Sequence, residues 1–272
     1  MAETENVVDT LALERIEVNL FRGVAPRNQG PRIFGGLVIA QALLAAYRTV
    51  EARVCHSLHC YFIRPGDPSV PILYDVDRSR DGKSFTTRRV TAIQHGAQIF
   101  NLAASFQDPE PGFEHQDDMP NVPRPDALIG DEGDSEWRRS IEMRWVELHD
   151  IDKPAVSPPV QNVWMRSTTP LPDDIAIQQA VLAYMSDMSL LSTCMRPHGV
   201  NWRTPGFQSA SLDHAIWFHQ PSSFNDWHLY AQRSPSASGA RGFNLGEIFN
   251  IDGRLVASTA QEGLARMRKA RE

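Results

Sequence analysis

The sequence predicts an α+β protein built from one unit used twice, a helix wrapped by an antiparallel sheet. Three observations predict it. Residues 33–50 and 175–195 are each apolar on nearly every side; each run is followed by several extended stretches; and an acidic, proline-rich segment separates the two series. A helix that is apolar all round needs burial all round, and a sheet curled about it supplies that.

The elements follow in order. The first helix begins near Gly35. Residues 56–63 are extended, rich in aromatics and histidine, and stop at Arg64-Pro65-Gly66, a strong breaker. Strands follow over 71–78 and 84–106, the second folding into two at His95-Gly96. Residues 108–136 then hold ten acids against one base, Arg124, with prolines at 109, 111, 120, 123 and 125. That stretch reads as a solvated connector, with a short strand beyond it over 141–148. Pro172-Asp173-Asp174 forms the capping region of the second helix. Strands follow at 208–219, 227–234, 240–250 and 254–265, with a turn at Asp252-Gly253. Tyr61-Phe62 before Pro65 echoes Trp217-Phe218 before Pro221 at an offset of 156, and Gly96 echoes Gly253 at 157. The repeated order favours duplication, with units at 1–107 and 137–272 and the connector at 108–136.

Composition sets outer bounds. The chain has 272 residues, 42% hydrophobic and 22% charged, ordinary for a globular protein. A formal net charge of -6 argues against nucleic acid and anionic membrane as partners. That acidity belongs to the connector; the remainder is mildly basic. Three cysteines, Cys55, Cys60 and Cys194, fit neither a disulfide framework nor a zinc cluster and suggest a reducing compartment. Met1–Thr10 is acidic and polar, unlike a secretory or transit leader, and no apolar run is long enough to span a bilayer. Lys269-Ala270-Arg271-Glu272 is not a peroxisomal tripeptide, so a cytoplasmic location is expected. Gly-x-Ser-x-Gly, P-loop, Gly-x-Gly-x-x-Gly and His-Glu-x-x-His motifs do not occur. Strand alternation sends His56 and His59 to opposite faces, a poor arrangement for a metal.

Three polar residues stand where the pattern wants apolar ones. On a helical stripe shared with Ala180, Tyr184 and Leu191, Asp187 is a carboxylate on an otherwise apolar helix, so it is either hydrogen-bonded in the core or facing a cleft. Ser211 shares one face of the strand at 208–219 with Asp213, while His214 takes the other. Gln261 is an amide near the end of the last strand. For each, a structural role competes with a catalytic one.

The chain resembles the acyl-CoA thioesterase II family, the TesB-like double hotdog thioesterases, over about residues 11–267. The first half carries Arg32-Ile-Phe-Gly-Gly-Leu-Val-Ile-Ala-Gln-Ala, His56-Ser-Leu-His-Cys-Tyr-Phe-Ile-Arg-Pro-Gly66 and Arg80-Asp-Gly-Lys-Ser-Phe-Thr-Thr-Arg-Arg-Val90. The second carries Tyr184-Met-Ser-Asp187, Ser211-Leu-Asp-His-Ala-Ile-Trp-Phe-His219 and Asp252-Gly-Arg-Leu-Val-Ala-Ser-Thr-Ala-Gln-Glu-Gly263. The resemblance implies catalytic residues at Asp187, Ser211 and Gln261, with Ser where the best-known members have Thr. It implies one active site per chain, built on the second unit, hydrolysing fatty acyl-CoA to fatty acid and CoA through an activated water, with no cofactor and no metal. It further implies a homodimer or homotetramer. A backbone N–H near a helix start would polarise the thioester oxygen. Arg78, Arg80, Lys83, Arg88, Arg89 and Arg241 are the cations considered for the CoA phosphates, against an ordinary solvated strand edge. The competing readings are Ser211 as nucleophile with His214 as base, a hotdog enoyl-CoA hydratase, and a non-catalytic acyl-CoA-binding protein.

Overall fold

The computed structural model describes residues 6–26, 30–129, 140–148 and 150–268. The first series of elements runs α1 (Val7–Thr10), β1 (Leu13–Glu17), β2 (Leu20–Gly23), α2 (Gly35–Tyr47), β3 (Val54–Phe62), β4 (Ile72–Asp81), β5 (Phe85–Gln94) and β6 (Ala97–Gln107). The second runs β7 (Ile141–Trp145), β8 (Val160–Ser167), α3 (Ile175–Ser186), a 3-10 segment (Leu190–His198), β9 (Phe207–Ser211), β10 (Asp213–Phe218), β11 (His228–Ser238), β12 (Arg241–Asn250) and β13 (Leu255–Met267). All strands join one antiparallel sheet, in the order β1-β2-β4-β5-β6-β3-β10-β13-β12-β11-β8-β7, with β9 also on β13. From the β3–β10 seam outward, the two halves carry the same order. Two hotdog units joined edge to edge account for that palindrome.

The core lies where α2 and α3 pack on each other against the sheet. Every residue from Gly36 to Ala46 and from Gln178 to Ser186 is buried, as their all-round apolar sequences require. The helices approach closely because Gly36 has no side chain; a Cβ there would overlap the Tyr184 carbonyl oxygen. Phe34 closes the crossing edge-on against Tyr184, ring centroids 5.2 Å apart. The turn at His95-Gly96 has left-handed backbone at both residues, φ 50° and 71°, and Gly253 turns the equivalent hairpin at φ 87°.

Four features depart from the sequence expectations. The hairpin of β1 and β2 and the strand β8 lack a strong alternating signal; in β1 no residue is fully buried. The second helix ends at Ser186 rather than near 195. Tertiary hydrogen bonds end it there: the Ser189 carbonyl accepts from Gln161 Nε2 at 2.9 Å, and its hydroxyl oxygen accepts from Gln232 Nε2 at 2.5 Å. The strand at 208–219 is broken at Leu212, opposite Glu262. The Leu212 N–H donates to the Glu262 carbonyl, and the Asp213 carboxylate accepts from the Glu262 N–H at 2.6 Å. The register shifts by one residue there, from Ser211↔Gly263 to Ala215↔Ala260, which is a β-bulge. The described part of the connector is docked as well as exposed. Gln116 bonds Gly253 and Leu255, Trp164 donates to the Pro123 carbonyl, and Met119, Val122 and Leu128 pack on the cluster around Trp164 and Trp227. Residues 130–136 of the connector lie outside the described residues.

Candidate active site

The early end of α3 makes Asp187 its C-cap, not an interior position. The side chain is 5% exposed and faces a cavity of about 540 Å³. The bulge at Leu212 brings Ser211 to the same place, and β13 supplies Gln261. Gln261 Nε2 donates to Asp187 Oδ1 at 2.6 Å and lies 3.2 Å from Ser211 Oγ. Thus the three polar anomalies of the sequence meet at one point.

The first unit contributes as well. The Gly36 N–H and the Ser211 hydroxyl both hydrogen-bond the Asp187 carboxylate. Asp187 Oδ2 is so close to Gly35 that a Cβ there would lie 2.6 Å from it. The site therefore straddles both units, whereas the resemblance places it on the second alone. The carboxylate sits between two helix ends of opposite polarity. The C-terminus of α3 disfavours its charge and the N-terminus of α2 favours it. Burial dominates and pushes the Asp187 carboxyl up to about 7; the bonds from Gln261, Gly36 and Ser211 oppose that rise. A carboxylate poised there can accept a proton at neutral pH.

His214 reaches the same cluster because the bulge reverses the alternation expected from the sequence. Ser211 and His214 face inward together, while Asp213 turns to bond the Glu262 N–H. His214 Nδ1 lies 3.0 Å from Gln261 Nε2 and 4.0 Å from Asp187 Oδ1. Burial lowers its pKa to about 3, so it is neutral. With Nδ1 against Gln261 and the Ser211 hydroxyl turned to Asp187, the geometry does not make His214 the base for Ser211.

The candidate phosphate cations lie elsewhere. Arg88, expected among the phosphate contacts, is instead buried, with Nε bonded to Thr49 Oγ1 and Nη2 to the Asp81 carboxylate and the Thr49 carbonyl, so its guanidinium is spent inside the fold. Arg89 alternates with Arg88 and points to the other face of β5, away from the core. Arg78 bonds Asn19, Arg241 pairs with Glu262, and Arg80 and Lys83 are exposed; none of these lines the cavity. Among the described residues, the cations that do line it are Arg32 and Arg64. Sequence reasoning passed over both, although they flank the helix start and the Arg64-Pro65-Gly66 breaker. The cavity wall is otherwise largely apolar and includes Val38, Phe62, Ile99, Phe100, Leu191 and Met195. No cluster of three or more metal-ligating side chains occurs among the described residues.

Comparison with known proteins agrees with this architecture. Residues 134–264 match the acyl-CoA thioesterase family, and residues 24–107 match the acyl-CoA thioesterase N-terminal domain. Acyl-CoA thioesterase 2 of Haemophilus influenzae is 40% identical, over 96% of this chain and 97% of that one. Human acyl-coenzyme A thioesterase 8 is 37% identical, over 96% of this chain and 89% of its own length. The crystal structure of acyl-CoA thioesterase II TesB2 from Mycobacterium marinum superposes with a TM-score of 0.85 at 43% identity, covering 97% and 99% of the two chains. A hot dog fold protein from Alicyclobacillus acidocaldarius, at 19% identity, shares the fold with a TM-score of 0.81 over 96% and 98%. With both halves matched in order and relatives this similar along nearly its full length, the chain belongs to the acyl-CoA thioesterase family.

Proposed function

We propose that this protein hydrolyses acyl-CoA thioesters to a carboxylic acid and CoA, using a water molecule activated by Asp187. One observation carries the reading: a buried carboxylate with a pKa of about 7, bonded by Gln261 and Ser211, on the wall of a largely apolar cavity. Asp187 Oδ2 takes the proton as the water attacks the thioester carbon. Ser211 and Gln261 hold the carboxylate and the water in line; neither is a base at neutral pH. Collapse of the tetrahedral species expels the CoA thiolate, which recovers the proton from Asp187. The start of α2 is the proposed oxyanion donor: Gly35, its first residue, lines the cavity at the helix end where backbone N–H groups point outward. Arg32 and Arg64 are the proposed contacts for the CoA phosphates, and the apolar wall takes the acyl chain.

Thiol release from saturated acyl-CoAs of increasing length, wild type beside Asp187→Ala, tests the reading. Loss of about 10²–10⁴-fold in kcat is expected. Near-normal turnover by the variant sinks the assignment.

The division at 1–107, 108–136 and 137–272 is proposed on the same repeat that orders the sheet. A homodimer or homotetramer is proposed from exposed apolar side chains on the sheet, including Tyr61, Leu73, Phe85, Trp217 and Phe243; light scattering coupled to size exclusion tests it. Three buried free thiols support a reducing compartment, with the cytoplasm proposed; no helix among the described residues is long and apolar enough to cross a membrane.

A further inference from the structure

We propose that His214 is a positioning residue that fixes the orientation of the Gln261 amide, so that an N–H rather than a carbonyl oxygen meets Asp187. The proposal deepens the reading of Asp187 as base and rests on it.

The Ser186 hydroxyl donates its one proton to the Ala183 carbonyl at 2.9 Å. Its 2.9 Å contact with His214 Nε2 must then be one in which the hydroxyl oxygen accepts, so Nε2 carries the imidazole proton. A neutral imidazole has one N–H, which leaves Nδ1 as a lone pair, 3.0 Å from Gln261 Nε2. Gln261 Nε2 has two N–H groups and three facing acceptors; the two shorter contacts, Asp187 Oδ1 at 2.6 Å and His214 Nδ1 at 3.0 Å, take them, and Ser211 Oγ lies farther off at 3.2 Å. Turned over, the amide would set Oε1 against a lone pair and a carboxylate at once. The relay from the Ala183 carbonyl through Ser186 and His214 thus reads out on Asp187 as a donor. His214 is 1% exposed and held neutral by burial, so the relay keeps its state across the working range of pH.

The internal repeat supports a functional rather than a packing reason. Leu58 and Ala104 pair across β3 and β6. At the sequence offsets of 156 and 157, they stand where His214 and Gln261 stand in the second unit. The same place in the fold is therefore filled by two apolar side chains in the unit without the carboxylate. A histidine and an amide occupy it only beside Asp187.

Two isosteric replacements separate the roles of the ring nitrogens. His214→Asn keeps an acceptor near the place of Nδ1; His214→Gln puts its amide near the place of Nε2, facing Ser186, and leaves Gln261 unpaired. With acyl-CoA as substrate, kcat of the Asn variant is expected to exceed that of the Gln variant by about tenfold, with KM within about threefold for both. Equal kcat in the two variants overturns the proposal. Should both fail to fold, long-range ¹H–¹⁵N correlation of the wild-type protein decides: protonation of His214 at Nε2 alone is expected between about pH 6 and 8, and a proton on Nδ1 overturns the relay. Asp187→Asn, run beside them, keeps the two claims apart. If it retains turnover, the base assignment falls; if it is inactive while the two His214 variants match, only the role of His214 falls.

Discussion

Replacing Gln261 by Leu removes the 2.6 Å donor to Asp187 while keeping an apolar side chain of similar size in the sheet. A buried hydrogen bond to a charged group contributes about 1.5–3 kcal/mol. Each 1.36 kcal/mol corresponds to about one pKa unit, so Asp187 should titrate near 8–9 instead of about 7. The base works only when ionised, so activity is present above its pKa and lost as pH falls through it. At pH 7 the ionised fraction drops from about half to between about 1 and 10%, which lowers kcat by roughly 5- to 50-fold. Near pH 9.5 most of that loss is recovered, and the part that persists measures how well Gln261 positions the water. The assay is thiol release at saturating acyl-CoA from about pH 5.5 to 10. An acid limb that stays at the wild-type position, or moves lower, refutes the account of Asp187 as a base held ionised by Gln261.

Asp187→Asn should be inactive yet more thermostable. The folded pKa of about 7 lies above the ordinary 3.8, so the stability linked to this carboxyl is full below about pH 4 and lost as pH rises through 7. The Asn variant should gain a few kcal/mol over wild type above pH 7 and nothing at pH 4, read from Tm across that range. Charge reversal at Arg32 or Arg64 should raise KM for acyl-CoA by about tenfold at low salt, with the difference shrinking near 0.5 M salt; an unchanged KM removes both from the phosphate site. Gly36→Ala forces a methyl into the Tyr184 carbonyl, so it should cost about 1–3 kcal/mol in denaturant unfolding. It should also move the acid limb upward by displacing the Gly36 amide from Asp187.

The catalytic candidates were legible because each breaks a local pattern. Asp187, Ser211 and Gln261 are polar where helix or strand periodicity asks for apolar residues, and the family motifs place all three. The helix pair was legible from its all-round apolar sequence, and the β5–β6 turn from His95-Gly96. What escaped was set by distant partners. Alternation assigned His214 to the face opposite Ser211, and the bulge at Leu212 reverses that through Glu262, 50 residues away in sequence. The end of α3 depends on Gln161 and Gln232, which no local window around Ser189 contains. The basic run from Arg78 to Arg89 looked like one patch, yet strand pleating sends Arg88 inward and Arg89 outward. Arg32 and Arg64 carry no pattern of their own and gain their place only when α2 and the end of β3 converge on the cavity.

The palindromic sheet has an evolutionary consequence. When a unit doubles within one chain, selection no longer has to hold a working centre in both copies, and each is free to drift toward a different task. Leu58 and Ala104 record a copy that has no reacting groups at that place. That copy was not made redundant. It lends the start of its helix to the other's carboxylate, so the symmetry holds in the scaffold while the chemistry is divided between unequal halves.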